Sequence, residues 1–141
     1  MKLAEVINTI LAIDALKETE LDGKTAYALF ITKKALLPHY EFYCEEEQKL
    51  INKYAKRDEN GRIVSDGETI QFVSTEATKE FAAKRKELFN MEVDIEFKRY
   101  KIMLPKTIKL VLLEALSSFF DFDITGIEAE NDNSRTESQQ I

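Results

Sequence analysis

Glu96-Phe97-Lys98 lies in an alternating stretch, and an E-x-K triplet on a strand is half of a metal-dependent nuclease arrangement, in which the strand aims a carboxylate and an ammonium at one metal-bound water. Such a site also needs an acid on a neighbouring strand. The nearest candidate, Asp66, falls in a turn, so the triplet fits an exposed strand face where Asp94, Glu96 and Lys98 alternate in charge. Gly23-Lys24-Thr25 matches the end of a phosphate-binding loop, but the first glycine of that loop would stand at position 18, which is Glu18. The triplet therefore starts a helix with its lysine solvated. His39 is the only histidine and Cys44 the only cysteine, and five residues apart on a helix they project from different faces. They make no local nucleophile and base, and one cysteine leaves neither an internal disulfide nor a cysteine-cluster metal site. The expectation is a protein with no catalytic site, no metal and no cofactor.

Charge gives a second kind of chemistry. Glu41 and Glu45 sit one helical turn apart, followed by Glu46 and Glu47, and a row of carboxylates can imitate nucleic-acid phosphates in a partner's basic groove. The same row is also what a solvated helix face looks like, since Lys49 and Lys53 continue the four-residue ladder and can pair with Glu45. Lys84-Arg85-Lys86 and Lys98-Arg99-Tyr100-Lys101 mix cations with an aromatic ring, as nucleic-acid surfaces do. Glu87, Glu92, Asp94 and Glu96 dilute that field, so direct nucleic-acid binding is disfavoured against a protein partner. Candidate partner-surface residues are thus Glu41, Glu45, Glu46, Lys98, Arg99 and Tyr100.

The net charge of −6 is segregated: residues 79–109 hold nine Lys/Arg against five Asp/Glu, whereas 121–141 hold one Arg against six acids. Such a chain is no bulk polyanion binder, although an acidic tail could lie back over a local basic face.

The element that positions most of these groups is a long helix. Apolar pairs return every seven positions, Leu29/Phe30, Leu36/Leu37, Tyr43/Cys44 and Leu50/Ile51, and at ~3.6 residues per turn this keeps each pair near one face. That stripe must be buried against another helix or a second chain, which makes a homodimer one expectation. Cys44 is placed in the core by this pattern, and His39 at the surface or at a bend. Lys33 and Glu47 fall beside the stripe, where a polar group can set register with a partner. Pro38 lies inside the helix, and the unbroken phase of the stripe predicts a kink over a break.

Around it, Leu3, Val6, Ile7, Ile10 and Leu11 predict a first helix over residues 3–17. The long helix runs from Asp22 or Gly23 to about Lys56, and Asn60-Gly61 marks a turn. Residues 62–64 and 69–73 predict a hairpin joined through Ser65-Asp66-Gly67-Glu68, and Ser74 or Thr75 caps a third helix carrying Ala77, Phe81, Leu88 and Phe89. Val93, Ile95 and Phe97 alternate as a half-buried strand whose phase changes at Arg99, suggesting a bulge or second strand at Tyr100, Ile102 and Leu104. Pro105 is expected to open a last helix reaching Phe120. Beyond Thr125 the composition predicts a disordered acidic tail. With 141 residues, 44% hydrophobic and 33% charged, the expectation is one helix-dominated α+β domain over 1–124, with a long kinked helix packed on the first and last helices and a small antiparallel sheet made by the hairpin and the later strand. No apolar run approaches the roughly 18 residues of a membrane span, and Glu5 and Asn8 after the Met-Lys start predict no signal peptide, hence a cytoplasmic protein.

Lys24-Thr25-Ala26-Tyr27 opening a long helix, then Glu41-Phe42, Glu45-Glu46-Glu47, Leu50-Ile51 and Tyr54, closed by Asn60-Gly61 and a short hairpin, resembles small accessory proteins encoded by bacteriophages and prophages, over roughly residues 23–120. The resemblance carries no catalytic motif. It implies a phage protein in the host cytoplasm, either an inhibitor of a host defence, such as an anti-CRISPR, or a component of virion or tail assembly. The helix, hairpin, helix order is also similar to prefoldin-like chaperone subunits, with a third helix much shorter than the second.

Overall fold

The structure, a computed structural model, describes residues 1–124. Four helices, α1 (Leu3–Ala15), α2 (Gly23–Tyr54), α3 (Thr75–Phe89) and α4 (Leu110–Ser117), and four short strands, β1 (Ser65–Asp66), β2 (Thr69–Ile70), β3 (Tyr100–Met103) and β4 (Phe120–Asp123), follow in the order α1, α2, β1, β2, α3, β3, α4, β4. The helix-dominated α+β class expected from the pattern is what forms. The expected acidic tail lies outside the described residues.

α2 continues unbroken through Pro38 over 32 residues. Proline costs a helix interior about 3 kcal/mol, so the buried side chains on either side of it must hold the helix together. The described chain gathers into two compact units, and their boundary in α2 falls at Pro38: Met1–Val6 with Pro38–Asp94 in one, Ile7–Leu37 with residues 95–124 in the other.

In the first unit the chain leaving α2 becomes the template for the hairpin. Lys56 donates its backbone N–H to Gln71 at 2.8 Å and accepts from Val64 at 2.8 Å, while Gln71 donates to Val64 at 3.0 Å. Residues 62–64 and 71–73 are therefore held largely by bridges to 55–57, and the regular β1–β2 ladder is confined to Ser65↔Ile70 and Asp66↔Thr69. The turn before it forms as expected, with the Asp58 carboxylate accepting from the N–H groups of Asn60 and Arg62 at 2.9 and 3.0 Å and Gly61 at φ +76°, a backbone region that excludes most side chains. Ser74 caps α3, its hydroxyl accepting from the Ala77 N–H at 3.0 Å. The chain start is stitched to the end of α3, with the Leu3 N–H donating to Met91 and Val93 donating back to Met1.

In the second unit Ile7, Ile10 and Ile13 bury one face of α1 and Leu16 continues it just past the helix end, while Leu11, placed on that face by spacing alone, is 52% exposed. The Thr9 hydroxyl donates to the Ala115 carbonyl of α4 at 3.0 Å. Phe119 and Phe120 are both fully buried, and each contributes roughly 1.5–3 kcal/mol by leaving water.

Two expectations fail here. The last helix starts at Leu110, not Pro105, because Lys109 holds extended backbone (φ −70°, ψ 139°); the helix stops at Ser117, leaving Phe119 and Phe120 outside it. The later strand does not join the hairpin: β3 pairs in parallel with β4, Tyr100↔Phe120 to Met103↔Asp123, in a separate two-stranded sheet. A parallel pair requires a crossover, and α4 is that crossover. Val93, Ile95 and Phe97 keep their half-buried alternation and the phase change at Arg99, but residues 93–99 are extended chain without a ladder.

Candidate functional site

The seven-residue stripe of α2 is largely satisfied within the chain. Leu29, Leu36 and Tyr43 are buried and Leu50 half-buried, whereas their successors Phe30 and Cys44 are exposed and Leu37 and Ile51 half-buried. Adjacent residues on a helix differ by about 100°, so one member of each pair faces inward and the next slides towards solvent. Cys44 is therefore a surface thiol, which corrects its assignment to the core.

The polar groups beside the stripe fix register inside the chain. Lys33 pairs with Asp14 of α1 at 2.5 Å. Glu47 accepts a short hydrogen bond from the Tyr43 hydroxyl and an Nε–H from Arg85 of α3 at 3.0 Å, while the Arg85 guanidinium also lies 5.1 Å from the Phe89 ring centroid. Burial of the phenol and the neighbouring Glu47 carboxylate push the Tyr43 hydroxyl up to about 12, against the opposing pull of Arg85. Glu47 and Arg85 were not among the candidate site residues; the i, i+4 spacing of Tyr43 and Glu47 was the available signal.

The candidate acidic residues separate into two kinds. Glu46 accepts from Lys49 at 2.8 Å, one turn along, so the direct ion pair of the ladder is made by Glu46, while Glu45 acts on the same ammonium only at longer range. Glu41 and Glu45 are exposed and have no ion-pair partner among the described residues. Phe42, 42% exposed, stands between them in sequence and adds an aromatic ring to the same stretch. Beside it, a cleft of about 330 Å³ between α2 and α3 has Leu50, Leu88 and Met91 as its floor and Glu46, Lys84 and Glu87 at its edge.

The basic candidates also divide. Lys98 lies over the Tyr100 ring at 5.0 Å, and both remain accessible. Arg99 is engaged by its own chain: its guanidinium donates to the carbonyls of Ser117, Ser118 and Phe120 at 2.6, 3.0 and 3.1 Å and to the Asp121 carboxylate at 2.7 Å. It closes the C-terminus of α4, where unpaired carbonyls and the negative end of the helix dipole attract a cation.

For catalysis, the triplet Glu96-Phe97-Lys98 lies in unpaired extended chain, with Phe97 packed on Phe119 at 4.6 Å between ring centroids. Among the described residues no three His, Cys, Asp or Glu side chains converge to hold a metal ion. The Thr25 hydroxyl, which a phosphate-binding loop would turn to a ligand, accepts from the Met103 N–H at 2.9 Å and is buried. No helix among the described residues is long and apolar enough to cross a membrane. What this arrangement offers is a charged and aromatic surface on α2. Compared with protein-family models, curated proteins and solved structures, the chain matches none.

Proposed function

We propose that this chain is a non-enzymatic, phage-encoded protein that binds and blocks a host defence complex handling nucleic acid, acting in the host cytoplasm. The observation that carries this reading is the pair Glu41 and Glu45, one turn apart, exposed and without an ion-pair partner among the described residues, with Phe42 next to Glu41 in sequence. Unpaired carboxylates on a rigid helix present charge at fixed spacing to a basic groove, and an exposed aromatic supplies the apolar anchor such interfaces use. The resemblance to phage accessory proteins supplies the context. A host carrying an active defence, supplied with the chain or with Glu41→Lys/Glu45→Lys, tests it: the wild type restores phage plating and the charge-reversed variant does not. Equal restoration by both would refute the acidic surface.

A second reading, a virion or tail-assembly component, is favoured by Tyr27 and Phe30, which stand 58% and 53% exposed one turn apart on α2. Light scattering on the Phe30→Glu variant tests that association directly.

A further inference from the structure

We propose that the cleft between the end of α1 and the start of α4 is the seat of a second copy of this chain, in a two-fold symmetric dimer. The cleft, about 570 Å³, has Ala15, Leu16 and Thr19 along one wall and Ile108, Val111 and Leu112 along the other. Val111 is 65% exposed, its neighbour Leu110 67%, and Leu11, one turn before Ala15 on α1, 52%. Single exposed aliphatics are ordinary on a protein surface, but Val111 lines the cleft, Leu110 is next to it in sequence and Leu11 is one helical turn from the lining residue Ala15, an accumulation that marks a contact surface.

The rims say what covers it. Glu18 and Glu20 are the exposed sequence neighbours of the lining residue Thr19, Lys109 lines the opposite wall and the exposed Lys106 precedes the lining residue Thr107, and none of the four has an ion-pair partner among the described residues. A surface acidic along one edge and basic along the other, with an apolar floor between, is complementary to itself under a two-fold rotation. Each copy's lysine edge then meets the other's glutamate edge, and the two apolar floors close on one another. A uniformly charged partner would be attracted by one edge and repelled by the other, whereas a second copy carries both edges in the required order. The cleft shares no residue with the Glu41 and Glu45 pair, and the dimer stands or falls independently of the inhibitor reading.

Sedimentation analysis of the full chain from micromolar to sub-millimolar concentration tests the proposal. The wild type dimerises. Val111→Glu and, as an independent variant at a more exposed position, Leu110→Glu become monomeric while keeping the wild-type far-ultraviolet circular dichroism spectrum. Glu18→Lys/Glu20→Lys alone and Lys106→Glu/Lys109→Glu alone each weaken the dimer by about tenfold or more. An equimolar mixture of those two variants recovers it, because both edges of the mixed dimer are again complementary. A wild type that stays monomeric throughout overturns the proposal, and so does a dimer that survives Val111→Glu and Leu110→Glu. A mixture no more associated than its components overturns it as well. Zero-length cross-links joining Lys106 or Lys109 to residues 125–141 of the same chain in a monomer would assign the cleft to that segment instead.

Discussion

Arg85 of α3 reaches across to Glu47 of α2, Nε to Oε2 at 3.0 Å, and at 3.3 Å the same Nε–H also faces the Tyr43 hydroxyl that Glu47 already holds. One guanidinium thus ties two helices through a carboxylate and a phenol, and its face is 5.1 Å from Phe89. The ion pair is partly exposed, with side chains 47% and 26% accessible, so its own share is at most about 1 kcal/mol, and the cation–π contact adds about 0.5–1 kcal/mol. Arg85→Ala should lower stability to urea by about 1–2 kcal/mol, and Arg85→Lys should restore only part, because an ammonium cannot reproduce the flat guanidinium face beside Phe89 together with the contact to Glu47. A double-mutant cycle with Glu47→Ala should show coupling below the full loss. Wild-type stability in Arg85→Ala would show that packing alone holds the two helices.

The Tyr43 phenol gives a pH signature. Its folded-state value near 12 lies above the ordinary tyrosine value of 10, so the folded state keeps a proton that the unfolded state releases. The contribution is fully present below pH 10 and is lost as pH rises from 10 towards 12. Unfolding free energy should therefore fall across that window in the wild type and fall less in Tyr43→Phe. Phenolate absorbance should show an ionisation near 12 in the wild type that is missing from Tyr43→Phe. A Tyr43→Phe profile parallel to the wild type through that window would place the alkaline loss elsewhere.

How much of this was legible beforehand depended on how local the cause was. The Ser74 cap, the Asp58–Gly61 turn and the span of α2 follow from side chains acting on their own backbone, and each was foreseen from residue type. The parallel pairing of β3 with β4 was not. Phe119 and Phe120 extend the apolar run of α4 in sequence, and only the tertiary contact with Phe97 and the ladder at Tyr100↔Phe120 turn the chain out of the helix. The same applies to the site. Exposure of Glu41 and Glu45 follows from their helical position, but the withdrawal of Arg99 into the end of α4 depends on residues about 20 positions away. The inward turn of Leu29 and outward turn of Phe30 likewise needed a neighbour to decide between them.

Thr32 offers a test by removal. It is 2% exposed on α2, and its hydroxyl has no hydrogen-bond partner among the described residues. A buried hydroxyl without a partner costs about 1–3 kcal/mol of lost hydration. Valine keeps the branched shape and the restricted rotamer in a helix while removing the oxygen. Thr32→Val should stabilise the fold by about 1 kcal/mol in thermal or urea unfolding, whereas Thr32→Ala should not, since it also removes a packed methyl and leaves a void. A destabilised Thr32→Val would mean that the hydroxyl has a partner in solution.

Arg99 separates a structural role from a recognition role. Its guanidinium satisfies three carbonyls at the end of α4 and the Asp121 carboxylate that opens the β4 edge, so one side chain fixes where the helix stops and the parallel strand begins. Charge-assisted bonds of this kind are worth about 1.5–3 kcal/mol when buried, and with the side chain 43% accessible the smaller end, about 1–2 kcal/mol, is expected. Arg99→Ala should show that loss together with faster amide exchange across residues 117–123, while α3, in the other compact unit, keeps its protection. Arg99→Lys should keep the charge near the helix end yet leave exchange raised, because it cannot reach three carbonyls at once. If Arg99 instead served a partner, Arg99→Ala would weaken binding while exchange across 117–123 stayed at the wild-type rate, and the capping role would have to be abandoned.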